Sequence, residues 1–227
     1  MVVRDVAGNF NWYILQSQTN TLRAVQWGLA GMTNDERGAG DYDGDGKADV
    51  GVYRFTNSTF YILRSSDGGL TAQQWGIAND QPFVGDFDKD GKADFAVVRN
   101  AVAAPIRTWY ILQSSNGALL AVQWGLTTDD VFGGTRADFD GDGRTDIGVW
   151  RDTNGTFYVR QSSNGALLAV QFGQAGDNVG AADIDGDGKA DFAAIRTVSG
   201  NLIWYALQSS NGTLKVMQWG IALDEPA

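Results

Sequence analysis

Apolar residues in this chain fall into short runs broken by glycine, asparagine and aspartate, and no run is long enough for a good helix. One stretch shows the pattern: QPFVGDF (81–87), FAVVR (95–99), TWYILQS (108–114) and LLAVQWG (119–125). These runs are rich in Val, Ile, Tyr, Phe and Trp, the residues that fill a pleated surface. Through WYIL the apolar character is nearly continuous rather than alternating, as in a strand covered on both faces. The pattern predicts four short strands in this stretch, with an acidic loop between the first two.

The same order recurs along the chain. QWG stands at 26–28, 74–76, 123–125 and 218–220, with QFG at 171–173. Ahead of each lies WYILQS (12–17), FYILRS (60–65), WYILQS (109–114), FYVRQS (157–162) or WYALQS (204–209). Between the two is SSDGG, SSNGA or SSNGT, whose Asn-Gly or Asp-Gly reads as a tight hairpin with both turn residues at positive φ. The first repeat has the poorer turn QTNTL. A four-stranded unit recurring every 47 to 49 residues predicts an all-β chain, a five-bladed β-propeller of four-stranded antiparallel blades. The units fall at about 1–36, 37–80, 81–129, 130–177 and 178–227 in a single domain. Val2-Val3-Arg4 aligns with Val97-Val98-Arg99, and Asp224-Glu225-Pro226-Ala227 with Asp80-Gln81-Pro82-Phe83. Either the ring closes at five, with one blade short of its innermost strand, or five units belong to a longer array.

Composition narrows the chemistry. Thirty glycines against three prolines suit many turns. With no cysteine and no histidine, disulfides, zinc fingers and histidine acid–base catalysis are excluded. The net charge of −10 argues against nucleic acid as a partner. No apolar run approaches the roughly 18 residues of a membrane span, so no membrane insertion is expected. MVVRD has neither the basic start nor the apolar stretch of a signal peptide.

Where the acids lie matters more than their sum. DYDGDGKAD (41–49), DFDKDGKAD (86–94), DFDGDGRTD (138–146) and DIDGDGKAD (183–191) all fit D-x-D-x-D-G-x-x-D. Side chains at loop positions 1, 3, 5 and 9, with the main-chain carbonyl of position 7, suit one hard cation taking six to eight oxygens, as calcium does. The expected ligands are Asp41, Asp43, Asp45, Lys47 and Asp49 in the first loop, and Asp86, Asp88, Asp90, Lys92 and Asp94 in the second. In the third they are Asp138, Asp140, Asp142, Arg144 and Asp146, and in the fourth Asp183, Asp185, Asp187, Lys189 and Asp191. The lysines and the arginine act here through their carbonyls. The loop is not an EF-hand, because position 12 is Val52, Val97, Val149 or Ala194 and lies in a strand. Sixteen of the 27 acids sit in these loops, and four Ca²⁺ would add +8 and take the net charge from −10 to −2. The alternative is a solvated acidic turn without metal; four copies in one strand context weigh against it.

These loops and the ADFAVVR-type strands after them resemble the FG-GAP/VCBS-type repeats of bacterial surface and secreted proteins, related to the calcium-bearing blades of integrin α-subunits. The resemblance implies a β-propeller, structural calcium between the first two strands of a blade, about four Ca²⁺ per chain, and an extracellular or cell-surface setting. It implies no single activity; members serve in adhesion, in glycan binding and as accessory domains of secreted enzymes. Lys89 departs from the Gly of the other loops at position 4, and its side chain is expected to point outward with little effect.

Other recurrent residues have both a functional and a packing reading. Trp27, Trp75, Trp124 and Trp219, with Phe172, read as sugar platforms or, more simply, as plugs between blades. So do Trp12, Trp109 and Trp204 with Phe60 and Phe157. Arg4, Arg54, Arg99, Arg151 and Arg196 end the second strand of each unit, to meet an anionic polysaccharide or a neighbouring carboxylate. Outside the loops remain Asp5, Asp35, Glu36, Asp67, Asp80, Asp129, Asp130, Asp152, Asp177, Asp224 and Glu225. Several of them recur with the repeat and are not a unique catalytic pair, so no enzyme activity is expected. The small irregularities at Ala30-Gly31-Met32, at 101–106 and at Phe132-Gly133-Gly134 are the candidate ligand surface. The leading expectation is a non-catalytic binding or adhesion module for a glycan or a surface protein. A structural or accessory domain of a larger secreted protein comes second, and a carbohydrate-active enzyme third. Ligand identity and oligomeric state are not written in the sequence.

Overall fold

The computed structural model describes residues 1–16, 19–31, 35–101, 104–132 and 137–222. They form five antiparallel sheets in chain order, each a meander. The first has β1 (Val2–Val6), β2 (Asn9–Leu15) and β3 (Leu22–Leu29). The second has β4 (Asp35–Arg37), β5 (Val50–Arg54), β6 (Thr59–Leu63) and β7 (Leu70–Gln74). The third has β8 (Gln81–Gly85), β9 (Asp94–Asn100), β10 (Ile106–Leu112) and β11 (Leu119–Leu126). The fourth has β12 (Asp130–Phe132), β13 (Ile147–Arg151), β14 (Thr156–Arg160) and β15 (Leu167–Gln171), and the fifth β16 (Asn178–Ala182), β17 (Asp191–Val198), β18 (Asn201–Leu207) and β19 (Leu214–Ile221). The only helix among the described residues is one 3₁₀ turn, Asp152–Asn154. This is the expected propeller of four-stranded blades, except that the first blade has three strands among the described residues.

Blades two to five each carry an acidic loop between their first and second strands. The second strand of these blades is the most buried, as in Val50–Arg54 and Ile147–Arg151, because apolar side chains cover both of its faces. The hairpin turns differ from expectation in one respect. In the Asn-Gly and Asp-Gly turns only the glycine takes positive φ, as at Gly68 (69°) and Gly117 (69°), and Asn20 (53°) holds that position in the first blade. The turn spans four residues rather than two: Gln113 N–H bonds the Ala118 carbonyl, Gly117 N–H bonds the Gln113 carbonyl, and Asn116 uses its side chain to accept from Ala118 N–H. Asparagine stabilises this loop by hydrogen bonding and has no need of the left-handed region.

Four apolar clusters seal successive blades. Trp12 and Trp27 pack with Val50 and Val52; Tyr53, Phe60 and Ile62 with Val97; Trp109 and Ile111 with Ile147 and Val149; Phe132 and Phe157 with Phe192. The QWG motif is the clasp. Trp27 donates its indole N–H to the Tyr61 carbonyl of the next blade at 3.0 Å, Trp75 to Tyr110 at 3.0 Å and Trp124 to Tyr158 at 3.0 Å. The glycine after the tryptophan lets the blades close up: at Gly125 (φ +85) a Cβ would lie 2.6 Å from Val149. Among the described residues no such cluster joins blade five to blade one. The β19 strand is exposed almost throughout, and Trp219 is 76% exposed, while Trp27, Trp75 and Trp124 are half-buried. Four sealed interfaces thus connect five blades, and the far face of the last is bare.

Candidate metal centres

Each acidic loop folds around its first aspartate. Asp41 accepts N–H bonds from Gly44, Asp45 and Gly46; Asp86 from Lys89, Asp90 and Gly91. Asp138 and Asp183 do the same for Gly141, Asp142 and Gly143, and for Gly186, Asp187 and Gly188. These bonds hold the loop in a tight coil and turn its carboxylates inward. Carboxylate oxygens of Asp41, Asp43 and Asp45 lie within 4.8 Å of one another, as do those of Asp86, Asp88 and Asp90. In the other two loops the close sets are Asp138, Asp140 and Asp146, and Asp183, Asp185 and Asp191. Positions 1 and 3 are close in every loop, joined by position 5 in the first two and by position 9 in the last two. The carbonyls of Lys47, Lys92, Arg144 and Lys189 accept no hydrogen bond from another backbone N–H of the described residues outside the strands.

Position 9 is the most informative. Asp49, Asp94, Asp146 and Asp191 begin or precede the second strand and are at most 1% exposed. Each accepts two backbone N–H bonds, Asp94 from Phe87 and Ser114 and Asp146 from Phe139 and Ser162. Among the described residues none of the four forms an ion pair. Burial accordingly pushes the Asp94 and Asp146 carboxyls up to about 6, against the downward pull of those N–H donors, and raises Asp49 as well. A buried carboxylate is costly without a cation. Asp146 and Asp191 each face two more loop carboxylates, and Asp49 and Asp94 feel the charge of Asp43 and Asp88; such a repeated, unpaired group fits a hard divalent cation held by oxygen alone.

A second set of residues was missed at the sequence level. Ser65 and Ser66 donate their hydroxyls to Asp45 and Asp43, Ser114 and Ser115 to Asp90 and Asp88, and Ser209 and Ser210 to Asp187 and Asp185. These serines fix the loop carboxylates from the hairpin turn between the third and fourth strands. A signal was available: the Ser-Ser pair occurs in the four repeats that own an acidic loop, and the loopless first repeat has Ser17-Gln18 instead.

The loops are also joined to one another. Ala93 N–H bonds the Asp41 carbonyl at 2.6 Å, Thr145 N–H the Asp86 carbonyl at 2.7 Å and Ala190 N–H the Asp138 carbonyl at 2.6 Å. Lys92 lies over Gly44, and Lys189 over Gly141, so closely that a Cβ on either glycine would come within 3.0 Å of the lysine Cε. The expectation for Lys89 is corrected here: its ammonium reaches across to the Asp142 carbonyl of the next loop and covers Gly143. With lysine rather than glycine at position 4 there is no bare backbone for the next loop to cover, so the reach runs the other way.

The remaining candidates are structural. Arg54, Arg99, Arg151 and Arg196 form bidentate pairs with Asp35, Asp80, Asp129 and Asp177, with Nε–O distances of 2.7–2.8 Å, and lie over Tyr61, Tyr110, Tyr158 and Tyr205. The same aspartates cap the turn after each Trp-Gly or Phe-Gly, as Asp129 does for Leu126 N–H. Arg4 lies over Tyr13 at 5.4 Å and meets no carboxylate among the described residues. Asp67 pairs with Arg64, and Asp5 caps Gly8. Asp130 and Asp152 do approach one another: burial first, then the Asp152 charge, raises the Asp130 carboxyl. Of the candidate ligand surface, Phe132 is core, and the 101–106 stretch leads into Arg107, whose guanidinium is spent on Gln81 and on the Leu126, Thr127 and Asp129 carbonyls. Met32, Val102, Ala103, Gly133, Gly134, Asp224 and Glu225 lie outside the described residues.

Comparison with known proteins agrees with this architecture. A family model for FG-GAP-like repeats matches residues 138–194, which contain the third and fourth acidic loops. Residues 138–194 thus carry an FG-GAP-like repeat within a five-bladed β-propeller, consistent with the family the loop motif resembles. No curated protein matches the chain significantly. Among solved structures, an Agrocybe aegerita lectin that recognises non-reducing terminal N-acetylglucosamine is 15% identical, with a TM-score of 0.48, over 90% of this chain and 73% of the lectin. The rhamnogalacturonan lyase YesW is 15% identical over 96% of this chain and 60% of its own, with a TM-score of 0.43. The Dos1 propeller is 12% identical over 95% and 55%, with a TM-score of 0.45. With TM-scores below 0.5, these likenesses transfer no activity to this chain. No helix among the described residues is long and apolar enough to cross a membrane.

Proposed function

We propose that this chain is a non-catalytic, calcium-binding propeller that serves as an extracellular binding or adhesion module for a glycan or a surface protein. The observation that carries the calcium reading is the set of four buried position-9 carboxylates, none paired with a cationic side chain among the described residues, at the base of loops that each bring three carboxylates within 4.8 Å of one another. Asp41, Asp43, Asp45 and Asp49 and their counterparts would hold the ion, with the position-7 carbonyl completing an all-oxygen shell. When bound, calcium supplies two positive charges where the chain has gathered four negative ones. The chain's own part is to pre-shape the cage: position-1 aspartates coil the loop, the serines orient positions 3 and 5, and the second strand anchors position 9. Because the loops are bonded in series, the cages also tie blade to blade.

The binding role is supported by the repeat itself. The recurrent Asp and Arg residues are used up in pairing the first and second strands of blades two to five, which leaves a repeated surface able to gain avidity from several weak contacts. The test is calorimetric titration with calcium, unfolding in EDTA and in millimolar CaCl₂, and a glycan array probed in calcium buffer. About four sites with a raised melting temperature, and retention on the array, are expected. No binding heat and no shift would overturn the calcium reading.

A second reading, an accessory domain of a larger secreted protein, has its own observation in the bare face of blade five, where Met217 and Trp219 are exposed. Retention by a neighbouring domain, lost on Trp219→Glu, would favour it over the first.

A further inference from the structure

The blades are near copies, so a ligand site for one particular molecule needs a place where the copies differ. Several such differences meet at the interface of blades three and four. A cavity of about 500 Å³ opens there, lined by Leu120, Val122 and Ile147 on its apolar side and by Arg144, Arg160 and Ser162 on its polar side. Arg144 occupies loop position 7, where the other loops have Lys47, Lys92 and Lys189. Arg160 stands where the other repeats have Leu15, Leu63, Leu112 and Leu207. Ser162 is the counterpart of Ser65, Ser114 and Ser209, whose hydroxyls each donate to a loop aspartate at 2.9 Å. The Ser162 hydroxyl is buried and has no hydrogen-bond partner among the described residues.

In a chain of net charge −10, Arg54, Arg64, Arg99, Arg151 and Arg196 are paired with carboxylates, whereas Arg4, Arg23 and Arg107 form no ion pair among the described residues. Arg144 and Arg160 form no ion pair among the described residues and line the same cavity. Two guanidinium groups and an unused hydroxyl beside an apolar wall supply donors and no counter-charge, and a planar guanidinium suits a carboxylate better than it suits neutral hydroxyls. The volume falls within the range of small-molecule sites.

We propose that this cavity binds an acidic sugar, its carboxylate held by Arg144 and Arg160 with the Ser162 hydroxyl, and its apolar ring face or aglycone against Leu120, Val122 and Ile147. The inference rests on the binding-module reading and names a ligand class for it. It does not require that the calcium loops themselves touch the ligand.

The probe is phenyl β-D-glucuronide, with phenyl β-D-glucoside as its neutral isostere, titrated into the full chain in calcium buffer and followed by amide NMR shifts. Saturable shifts at Leu120, Val122, Ile147 and Ser162 are expected with the glucuronide, and binding at least about tenfold weaker with the glucoside. Arg144→Gln and Arg160→Gln should each weaken the glucuronide about tenfold and leave the glucoside unchanged. Both side chains are at least partly exposed and unpaired, so these variants are expected to fold; unchanged amide spectra away from the cavity check this. Arg23→Gln, remote from the cavity, should change nothing. Equal binding of the two glycosides, or glucuronide binding that survives Arg144→Gln with Arg160→Gln, overturns the proposal. Shifts confined to another surface overturn it too but leave the binding module standing, whereas failure on the glycan array counts against the module itself.

Discussion

Replacing Asp94 by Asn separates a metal ligand from a merely structural acceptor. Asp94 is fully buried, accepts N–H bonds from Phe87 and Ser114 at 2.7 Å each, and has its carboxyl pushed up to about 6 by burial. Without metal, a carboxyl near 6 in the folded state against about 4 in the unfolded chain costs about 3 kcal/mol at neutral pH. Asn removes that charge but turns an amide N–H toward one of the two backbone donors, at about 1–3 kcal/mol. The two effects nearly cancel, so in EDTA the variant should melt within a few degrees of the parent. With calcium at 100 times its dissociation constant, each intact site contributes about 2.7 kcal/mol. The variant loses most of one such contribution, and at about 2–4 °C per kcal/mol its melting temperature should fall by about 5–10 °C relative to the parent. The assay is thermal unfolding of both proteins in the two buffers. Equal destabilisation with and without calcium would refute the reasoning, since Asp94 would then be an ordinary hydrogen-bond acceptor.

Three further outcomes follow from the same geometry. Trp124→Ala should cost about 3 kcal/mol in denaturant unfolding, because it empties a sealed interface and strips the Tyr158 carbonyl of its donor, whereas Trp219→Ala, at the same repeat position, should stay within about 0.5 kcal/mol. Gly125→Ala should cost several kcal/mol in the same measurement, since it combines positive φ with a 2.6 Å approach to Val149, while Gly46→Ala bears the φ strain alone. Lowering the pH should act in opposite directions on the two forms. Asp94 and Asp146 have folded-state values raised above the unfolded ones, so in EDTA their penalty is fully present above about pH 6 and is relieved as pH falls toward 4; in calcium the same protons compete with the metal, and affinity measured by calorimetry should drop below about pH 6.

Local repetition made much of this protein legible in its sequence. The strands, their order within a blade, the hairpin positions and the aspartates at loop positions 1, 3, 5 and 9 are fixed by contacts a few residues apart, and each is written five or four times over. The serines behind the loop aspartates were harder to see, because Ser65 meets Asp45 across 20 residues and Ser-Ser before Asn-Gly looks like ordinary turn chemistry. Contacts between blades were legible only as the recurrent aromatic plugs. That Lys89 covers the next loop and that Trp219 is bare while Trp124 is sealed depend on residues brought together from different repeats; Arg144 and Arg160 lie in one repeat, but the cavity they share is completed by Leu120 and Val122 of the repeat before. A repeat encodes its own sheet through near neighbours. The rotation that sets one sheet against the next comes from packing across the interface, and no periodicity along the chain records it.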